Sequence, residues 1–205
     1  MNQTEVCVLI IDDDLAVRES LESLFQSVGH GTRSFASGRD FAKGNLPDVP
    51  SCLVLDVRLP GTSGLEFQIE LSRLSINIPI IFITGHGDVP MSVAAMKAGA
   101  IEFLTKPFRE QDLLDAVHRG IDIDRERRAA EISLTDLRRR FETLTPRERD
   151  IIALVVTGQM NKQIAAALDL REVTVKVHRA QVMRKMQAKT RPDLVRDVDR
   201  LAADI

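Results

Sequence analysis

The sequence predicts an α/β fold, in which a five-stranded parallel sheet carries helices on both faces, followed by an all-α region. Apolar runs of strand length alternate with segments of helical periodicity up to about residue 122. Three of the five strand candidates are continuously apolar, which is typical of parallel strands buried on both faces. We therefore expect a doubly wound sheet, for which 2-1-3-4-5 is a common strand order, and then a four-helix domain.

The first unit is expected to contain five strands and five helices in strict alternation. Turn residues bound the strands, and Gly29 and Gly99 end the first and fourth helices. The expected strands span residues 6–11, 33–36, 52–55, 78–83 and 100–104. The expected helices span residues 15–28, 38–43, 63–74, 89–98 and 109–121.

Composition is that of an ordinary globular protein, but charge divides the chain into two halves. Residues 1–122 carry a net charge of −7 and residues 123–205 carry +5, which suggests that the second half binds nucleic acid. No apolar run approaches the roughly 20 residues that span a bilayer, and the polar residues 1–5 do not resemble a secretory signal. Cys7 and Cys52 fall in expected strands, as core thiols do. We therefore expect a cytoplasmic protein without a membrane partner.

Chemically useful groups stand at the carboxyl ends of four expected strands. Asp12 and Asp13 follow strand one, Asp56 follows strand three, Thr84 follows strand four and Lys106 follows strand five. Strands one and three are adjacent in the order 2-1-3-4-5, so the three carboxylates should converge in the crevice where such sheets bind ligands. Converging carboxylates need a cation, and hard oxygen ligands suit Mg²⁺.

This arrangement favours phosphoryl chemistry on Asp56. A carboxylate can act as a nucleophile and form an acyl phosphate, and a metal ion screens its repulsion from the anionic donor. The Thr84 hydroxyl and the Lys106 ammonium can bind phosphoryl oxygens. The simpler alternative is that Asp56 caps the helix that follows it.

These residues resemble the receiver domain of two-component response regulators over residues 6–122. The resemblance includes the acidic pair, the run Asp56-Val-Arg-Leu-Pro-Gly-Thr-Ser-Gly64, Thr84 and Lys106-Pro107, and residues 83–100 resemble the FixJ-type subgroup. Leu59, where many relatives have Met, is a conservative departure.

The receiver resemblance implies a role for each site residue. Asp56 would be the phosphoacceptor, and Mg²⁺ would be held by Asp12, Asp13, Asp56 and the backbone carbonyl of Arg58. Thr84 and Phe103 would form the switch, although Phe103 is equally compatible with a plain core role. The Lys106–Pro107 peptide bond would be cis.

Residues 123–141 form a highly charged segment without glycine or proline. Ile132, Leu137, Phe141 and Leu144 recur at a loose helical spacing, which favours a helical connector that extends the fifth helix. A solvated spacer is the alternative, and the residues do not decide between the two.

Residues 142–205 are expected to form the DNA-binding domain. Thr145, Pro146 and Glu148 have the pattern of a capping box at a helix start, and Asn161 is expected to cap the second helix. The expected helices span residues 146–157, 162–168, 173–186 and 191–203. Two short helices, a turn and a basic third helix predict a helix-turn-helix, whose third helix enters the major groove.

The third helix and its surroundings supply the expected DNA contacts. The side chains expected to face base edges are Thr174, Lys176, Val177, Arg179, Ala180 and Arg184. The side chains expected to contact phosphates are Lys162, Gln163, Lys185 and Lys189. Those expected to face inward are Val175, His178, Val182 and Met186, with a base contact as the alternative for His178.

Residues 144–149, 161–165 and 174–179 resemble the LuxR-type helix-turn-helix. This resemblance implies that the fourth helix contributes a dimer contact through Leu194, Val198 and Leu201. The whole chain is therefore expected to be a transcription factor and not an enzyme. A sensor histidine kinase would phosphorylate Asp56, and the homodimer would bind double-stranded promoter DNA, with RNA polymerase as a further candidate partner.

Two rivals remain open from the sequence alone. Haloacid-dehalogenase-like phosphatases also use a first-strand Asp, and Asp12 and Asp14 have the required spacing, but Ala16 departs from that motif. That rival leaves Asp56 and the helix-turn-helix unexplained. The second rival is a constitutive DNA-binding protein with an inactive receiver, which the full acidic site argues against.

Overall fold

The computed structural model describes residues 6–203, which form two compact units, one up to Arg128 and one from Ala129 onward. The expected lack of a secretory signal concerns residues 1–5, which lie outside the described residues. Within residues 6–203, no helix combines the length and the apolar character needed to cross a lipid bilayer.

The first unit is built on a five-stranded parallel sheet with the order β2-β1-β3-β4-β5, so the predicted fold class is confirmed. The strands are β1 (Cys7–Ile11), β2 (Gly31–Phe35), β3 (Ser51–Asp56), β4 (Ile80–Thr84) and β5 (Glu102–Thr105). The observed strands β4 and β5 begin two residues later than the apolar runs suggested. Apolar character marks burial, whereas the strand itself is defined by the ladder of hydrogen bonds.

The three central strands are buried on both faces, which explains their unbroken apolar runs. Successive side chains point to opposite faces of the sheet, so each strand contributes side chains to two hydrophobic cores. Leu9, Leu53 and Phe82 pack on one face, while Val8 and Val54 pack on the other.

Helices follow each strand of the first unit. They are α1 (Leu15–Ser27), α2 (Gly38–Lys43), α3 (Gly64–Arg73), α4 (Val89–Lys97) and α5 (Glu110–Glu142). Gly29 and Gly99 have φ values of +82° and +93°, and each lies just beyond a helix end as predicted. Helix α5 has 33 residues and extends through the charged segment that follows Ile121.

The second unit is all-α and contains α6 (Pro146–Val156), α7 (Asn161–Ala167), α8 (Glu172–Met186) and α9 (Arg191–Ala202). The predicted capping box at Thr145 and Glu148 is present. Asn161 was expected to cap α7, and this is wrong: Asn161 is the first helical residue, and Met160 precedes the helix. The Met160 N–H donates to Gln163 Oε1 over 2.8 Å, so a glutamine inside the helix satisfies the N–H of the residue that precedes it.

The core of the second unit collects apolar side chains from α6 to α9 and from the end of α5. Val175, Val182 and Met186 of α8 are buried, as predicted from the helical pattern. Leu137 and Leu144 are each 4% exposed and belong to the same core.

Candidate functional site

The predicted carboxylates converge at the carboxyl ends of β1 and β3. Ile11 pairs with Leu55 in the ladder, so Asp12 and Asp56 leave neighbouring strands side by side. Asp12, Asp13 and Asp56 each offer an oxygen, and these three oxygens lie within 4.8 Å of one another. Asp12 is 1% exposed and Asp56 is 8% exposed, while Asp13 is open to solvent. The cluster is therefore a concave acidic site with one solvent-facing side.

Lys106 completes this acidic cluster from β5. Its ammonium donates to Asp12 Oδ2 over 2.8 Å and to Asp56 Oδ2 over 3.2 Å. Burial lowers the pKa of Lys106, but hydrogen bonds and charge from the two carboxylates outweigh it, so the pKa lies above its ordinary value. Burial raises the pKa of Asp12 by more than the Lys106 and Asp14 hydrogen bonds lower it. The ammonium therefore keeps its charge between the two acids.

Thr84 ends β4 next to Lys106, which follows β5, and Phe103 lies within β5. Thr84 is fully buried, its hydroxyl accepts from the His86 N–H over 3.3 Å, and its carbonyl accepts from the Lys106 N–H over 2.7 Å. The Phe103 ring is half-buried and lies 6.2 Å from the Phe82 ring. The Lys106–Pro107 peptide bond is cis, as the resemblance implied.

The structure contradicts the alternative in which Asp56 caps the next helix. Ser63 is the N-cap of α3, where its hydroxyl accepts from the Glu66 N–H over 3.2 Å. Asp56 Oδ1 instead accepts from the N–H of Arg58, over 3.0 Å. The Arg58 side chain is exposed, and its backbone lies directly after β3 beside the cluster. Asp56 thus faces the acidic site.

A divalent metal ion fits the donor set of this site. Three carboxylates within bonding reach of one point supply the hard oxygens that Mg²⁺ prefers. The Arg58 carbonyl leaves the same turn as the N–H that holds Asp56. One side of the cluster is open, which leaves room for the water or phosphate ligands that Mg²⁺ retains.

The second candidate surface is the outer side of α8. Lys176, Val177, Ala180 and Arg184 are exposed, as expected for residues that face DNA. Thr174 and Arg179 are half-buried instead, and His178 is also half-buried with a buried Nδ1. On α7, the adjacent residues Lys162 and Gln163 are exposed. The exposed face of α8 is therefore narrower than the predicted set.

Two of the predicted DNA contacts, Lys185 and Arg179, have side-chain partners on other helices of the second unit. The Lys185 ammonium donates to Glu148 Oε2 over 2.6 Å and to the Thr143 carbonyl over 3.0 Å. The Arg179 guanidinium donates to the side-chain oxygen of Asn161. Sequence reasoning missed these two pairs, because the partners are 37 and 18 residues apart and no local pattern links them. The Lys185 ammonium is paired with the buried Glu148 carboxylate, and this pairing argues against Lys185 as a phosphate contact.

Together, the acidic cluster of the first unit and the basic helix-turn-helix of the second define a regulator that joins a receiver-like domain to a DNA-binding domain. Residues 8–118 match the family described as response regulator receiver domain, and residues 142–198 match the luxR family of bacterial regulatory proteins. The chain belongs to the response regulators that join a receiver domain to a LuxR-type DNA-binding domain.

Relatives are similar to this chain over most of their length. The chain is 55% identical to nodulation protein W of Bradyrhizobium diazoefficiens, over 94% of this chain and 85% of that protein. It is 44% identical to the transcriptional regulatory protein FixJ of Rhizobium meliloti, over 94% and 95% respectively. It also resembles the structure of the response regulator StyR, with a TM-score of 0.85, 47% identity, and coverage of 95% and 98%.

Proposed function

We propose that this response regulator is phosphorylated on Asp56 by a sensor histidine kinase and then binds promoter DNA as a homodimer. The observation that carries the proposal is the meeting of Asp12, Asp13, Asp56 and Lys106 at one edge of the sheet. We propose residues 1–122 as receiver, 123–141 as connector and 142–205 as DNA-binding segment. RNA polymerase is a further candidate partner at the promoter.

Phosphoryl transfer would proceed by attack of an Asp56 carboxylate oxygen on the phosphorus of a phosphohistidine. The new bond is O–P, the P–N bond breaks, and its electron pair returns to the imidazole nitrogen. Asp12, Asp13, Asp56 and the Arg58 carbonyl would hold Mg²⁺, which supplies charge that screens the repulsion between the two anions. The Lys106 ammonium would move from the carboxylates to a phosphoryl oxygen.

The product would change the charge of the site and thereby switch the domain. An acyl phosphate adds about −1.5 to −2 charges and new acceptor oxygens. The Thr84 hydroxyl, which accepts from the His86 backbone N–H, can donate to one of them. Phe103, half-buried on the adjacent strand, is the proposed bistable element, and the face of α4, β5 and α5 is the proposed dimer surface.

The phosphatase rival would need Asp12 as nucleophile and Asp14 as acid. The Asp14 side chain caps α1 by accepting from the Ala16 N–H over 2.8 Å, and Asp12 is 1% exposed. Asp56 is the carboxylate whose position the rival does not use. These contacts support Asp56 as the acceptor.

The test is phosphotransfer to the full-length protein from acetyl phosphate with Mg²⁺. We expect intact-mass spectrometry to find one phosphoryl group on the wild type, peptide mapping to assign it to Asp56, and none on Asp56→Ala. An Asp48→Ala variant is a matched control, because Asp48 is exposed and precedes the start of β3, at the opposite end of that strand from Asp56. A label on Asp12 would support the phosphatase instead.

The same samples test the output. With the phosphodonor, we expect the wild type and Asp48→Ala to form dimers, as measured by light scattering, and to bind DNA more tightly. We expect neither change in Asp56→Ala. Equal DNA binding and unchanged mass in wild type and Asp56→Ala would refute the switch and support the constitutive alternative.

A further inference from the structure

Arg179 lies off the exposed face of α8. A helix turns about 100° per residue, so Val173, Lys176, Val177, Ala180 and Arg184 fall within an arc of about 100°. All five are exposed, with Val173 at 70% and Val177 at 52%. Arg179 lies about 120° around the helix from Val173 by the same geometry, and it is half-buried. Its backbone is thus on the flank of α8 and not on the face that would enter a groove.

Asn161 holds the Arg179 side chain on that flank. The guanidinium donates through Nη1 to Asn161 Oδ1, at the start of α7, and α7 and α8 share a core through Ile164 and Val175. The partner is a neutral amide, so it fixes the guanidinium without cancelling its charge. Lys185 differs, because its partner is the Glu148 carboxylate.

We propose that Arg179, positioned by Asn161, binds a phosphate of the DNA backbone and does not contact a base edge. The inference rests on the proposed DNA-binding function. It divides the candidate DNA contacts into residues that bind phosphates and residues that bind base edges. In a helix-turn-helix the recognition helix lies in the major groove, while the preceding helix crosses the backbone. A cation held between the flank of α8 and the start of α7 therefore faces the groove wall, where the phosphates run.

Asn161 is a positioning residue in this arrangement. A mobile arginine side chain on the protein surface loses conformational entropy when it binds DNA, whereas a guanidinium that is already held in place loses less. Phosphate contacts set the register of a protein on the duplex without specifying sequence. Val177 and Ala180, which lie on the exposed arc, remain as base-contacting candidates.

The test measures DNA affinity over a series of salt concentrations for the full-length protein treated with Mg²⁺ and acetyl phosphate. The probes are a duplex selected by the wild type from a random-sequence library and a shuffled duplex of the same composition. For Arg179→Gln we expect weaker binding to both duplexes by the same factor. We also expect the slope of log K against log salt to fall by about 0.9, the value for one phosphate contact. Val177→Ala is the matched control, and it should weaken the selected duplex alone with the slope unchanged.

The role of Asn161 is tested with a double-mutant cycle. Asn161→Ala should weaken binding to both duplexes equally, and Asn161→Ala with Arg179→Gln should bind no more weakly than Arg179→Gln alone. Asn161→Asp places a carboxylate on Arg179 and should lower the salt slope as Arg179→Gln does. Thermal unfolding followed by circular dichroism should show every variant fully folded at the temperature of the binding assay, which separates these effects from folding.

Three results would overturn the assignment. A loss confined to the selected duplex in Arg179→Gln, with an unchanged slope, would make Arg179 a base contact. Additive losses in the double mutant would mean that Asn161 does not act through Arg179. A wild type that binds neither duplex in a salt-dependent manner would refute the proposed DNA-binding function itself.

Discussion

Asp124 on α5 is a buried carboxylate whose removal should destabilise the receiver unit. Its side chain is 1% exposed, and it accepts from the Ser51 N–H over 2.9 Å, from Arg128 Nε over 2.8 Å and from Arg127 Nε over 3.0 Å. In Asp124→Ala the buried Ser51 N–H loses its acceptor, at a cost of about 1–3 kcal/mol. The two arginines, 31% and 25% exposed, also lose a shared counter-charge that water replaces in part. We expect a total loss of about 3 kcal/mol.

The assay is urea unfolding of the full-length protein by far-UV circular dichroism, because the chain contains neither Trp nor Tyr. Hydrogen exchange of peptides from β3 assigns the loss to the first unit. Asp122→Ala is the matched control, since Asp122 is two residues away, has a side chain 67% exposed and pairs with Arg125 on the surface. The control should cost less than about 1 kcal/mol. Equal stabilities for the two variants, within about 0.5 kcal/mol, would refute the assignment of Asp124 as an anchor.

Two further predictions concern the other buried ion pairs. Lys106→Ala leaves Asp12 and Asp56 without their shared cation, so its thermal midpoint in EDTA should fall below that of the wild type, and Mg²⁺ should raise the midpoint of the variant more than that of the wild type. Equal rises would contradict competition between Lys106 and the metal ion, and no rise in either protein would contradict a metal site at these carboxylates. Burial raises the pKa of Glu148, but hydrogen bonds from Lys185 and from the capping box outweigh it and hold this pKa below the ordinary 4.5. The pair therefore stabilises the second unit above about pH 4.5 and loses this effect as the pH falls further, so the urea midpoints of wild type and Glu148→Gln should differ at pH 7 and converge in acid.

The acidic site could be predicted because each of its residues follows a recognisable strand, and the sheet topology brings the strand ends together. Apolar runs mark the central strands, and the residue that ends each run stands at the carboxyl edge of a parallel sheet. The sequence alone therefore predicts that Asp12, Asp56, Thr84 and Lys106 lie at one edge of the sheet. Their hydrogen bonds were not predictable, because the 2.8 Å contact of Lys106 with Asp12 depends on side-chain conformations and not on topology.

The DNA-facing set was harder to predict because helix periodicity alone does not say where neighbouring helices lie. Arg179 and Lys185 belong to the same basic run as Lys176, and charge gives no reason to separate them. The structure separates them by their partners, Asn161 for Arg179 and Glu148 for Lys185. Both partners come from other helices, so only the packing of α6 and α7 on α8 reveals them.

Asp124 had no visible partner in the sequence, since it lies in a charged run that looks solvated, 73 residues from Ser51. A related sequence signal for this contact is Gly120, which lies four residues before Asp124 in the interior of helix α5. Glycine in a helix interior lowers helix stability by about 1 kcal/mol relative to alanine, so its presence there calls for a structural explanation. A Cβ at position 120 would lie 2.5 Å from Cys52 Sγ, which means that α5 approaches β3 too closely for any side chain there. Residues four apart share a helix face, so this close approach also brings Asp124 over the start of β3. The glycine predicts the contact, and the contact explains how a carboxylate in a charged run becomes buried.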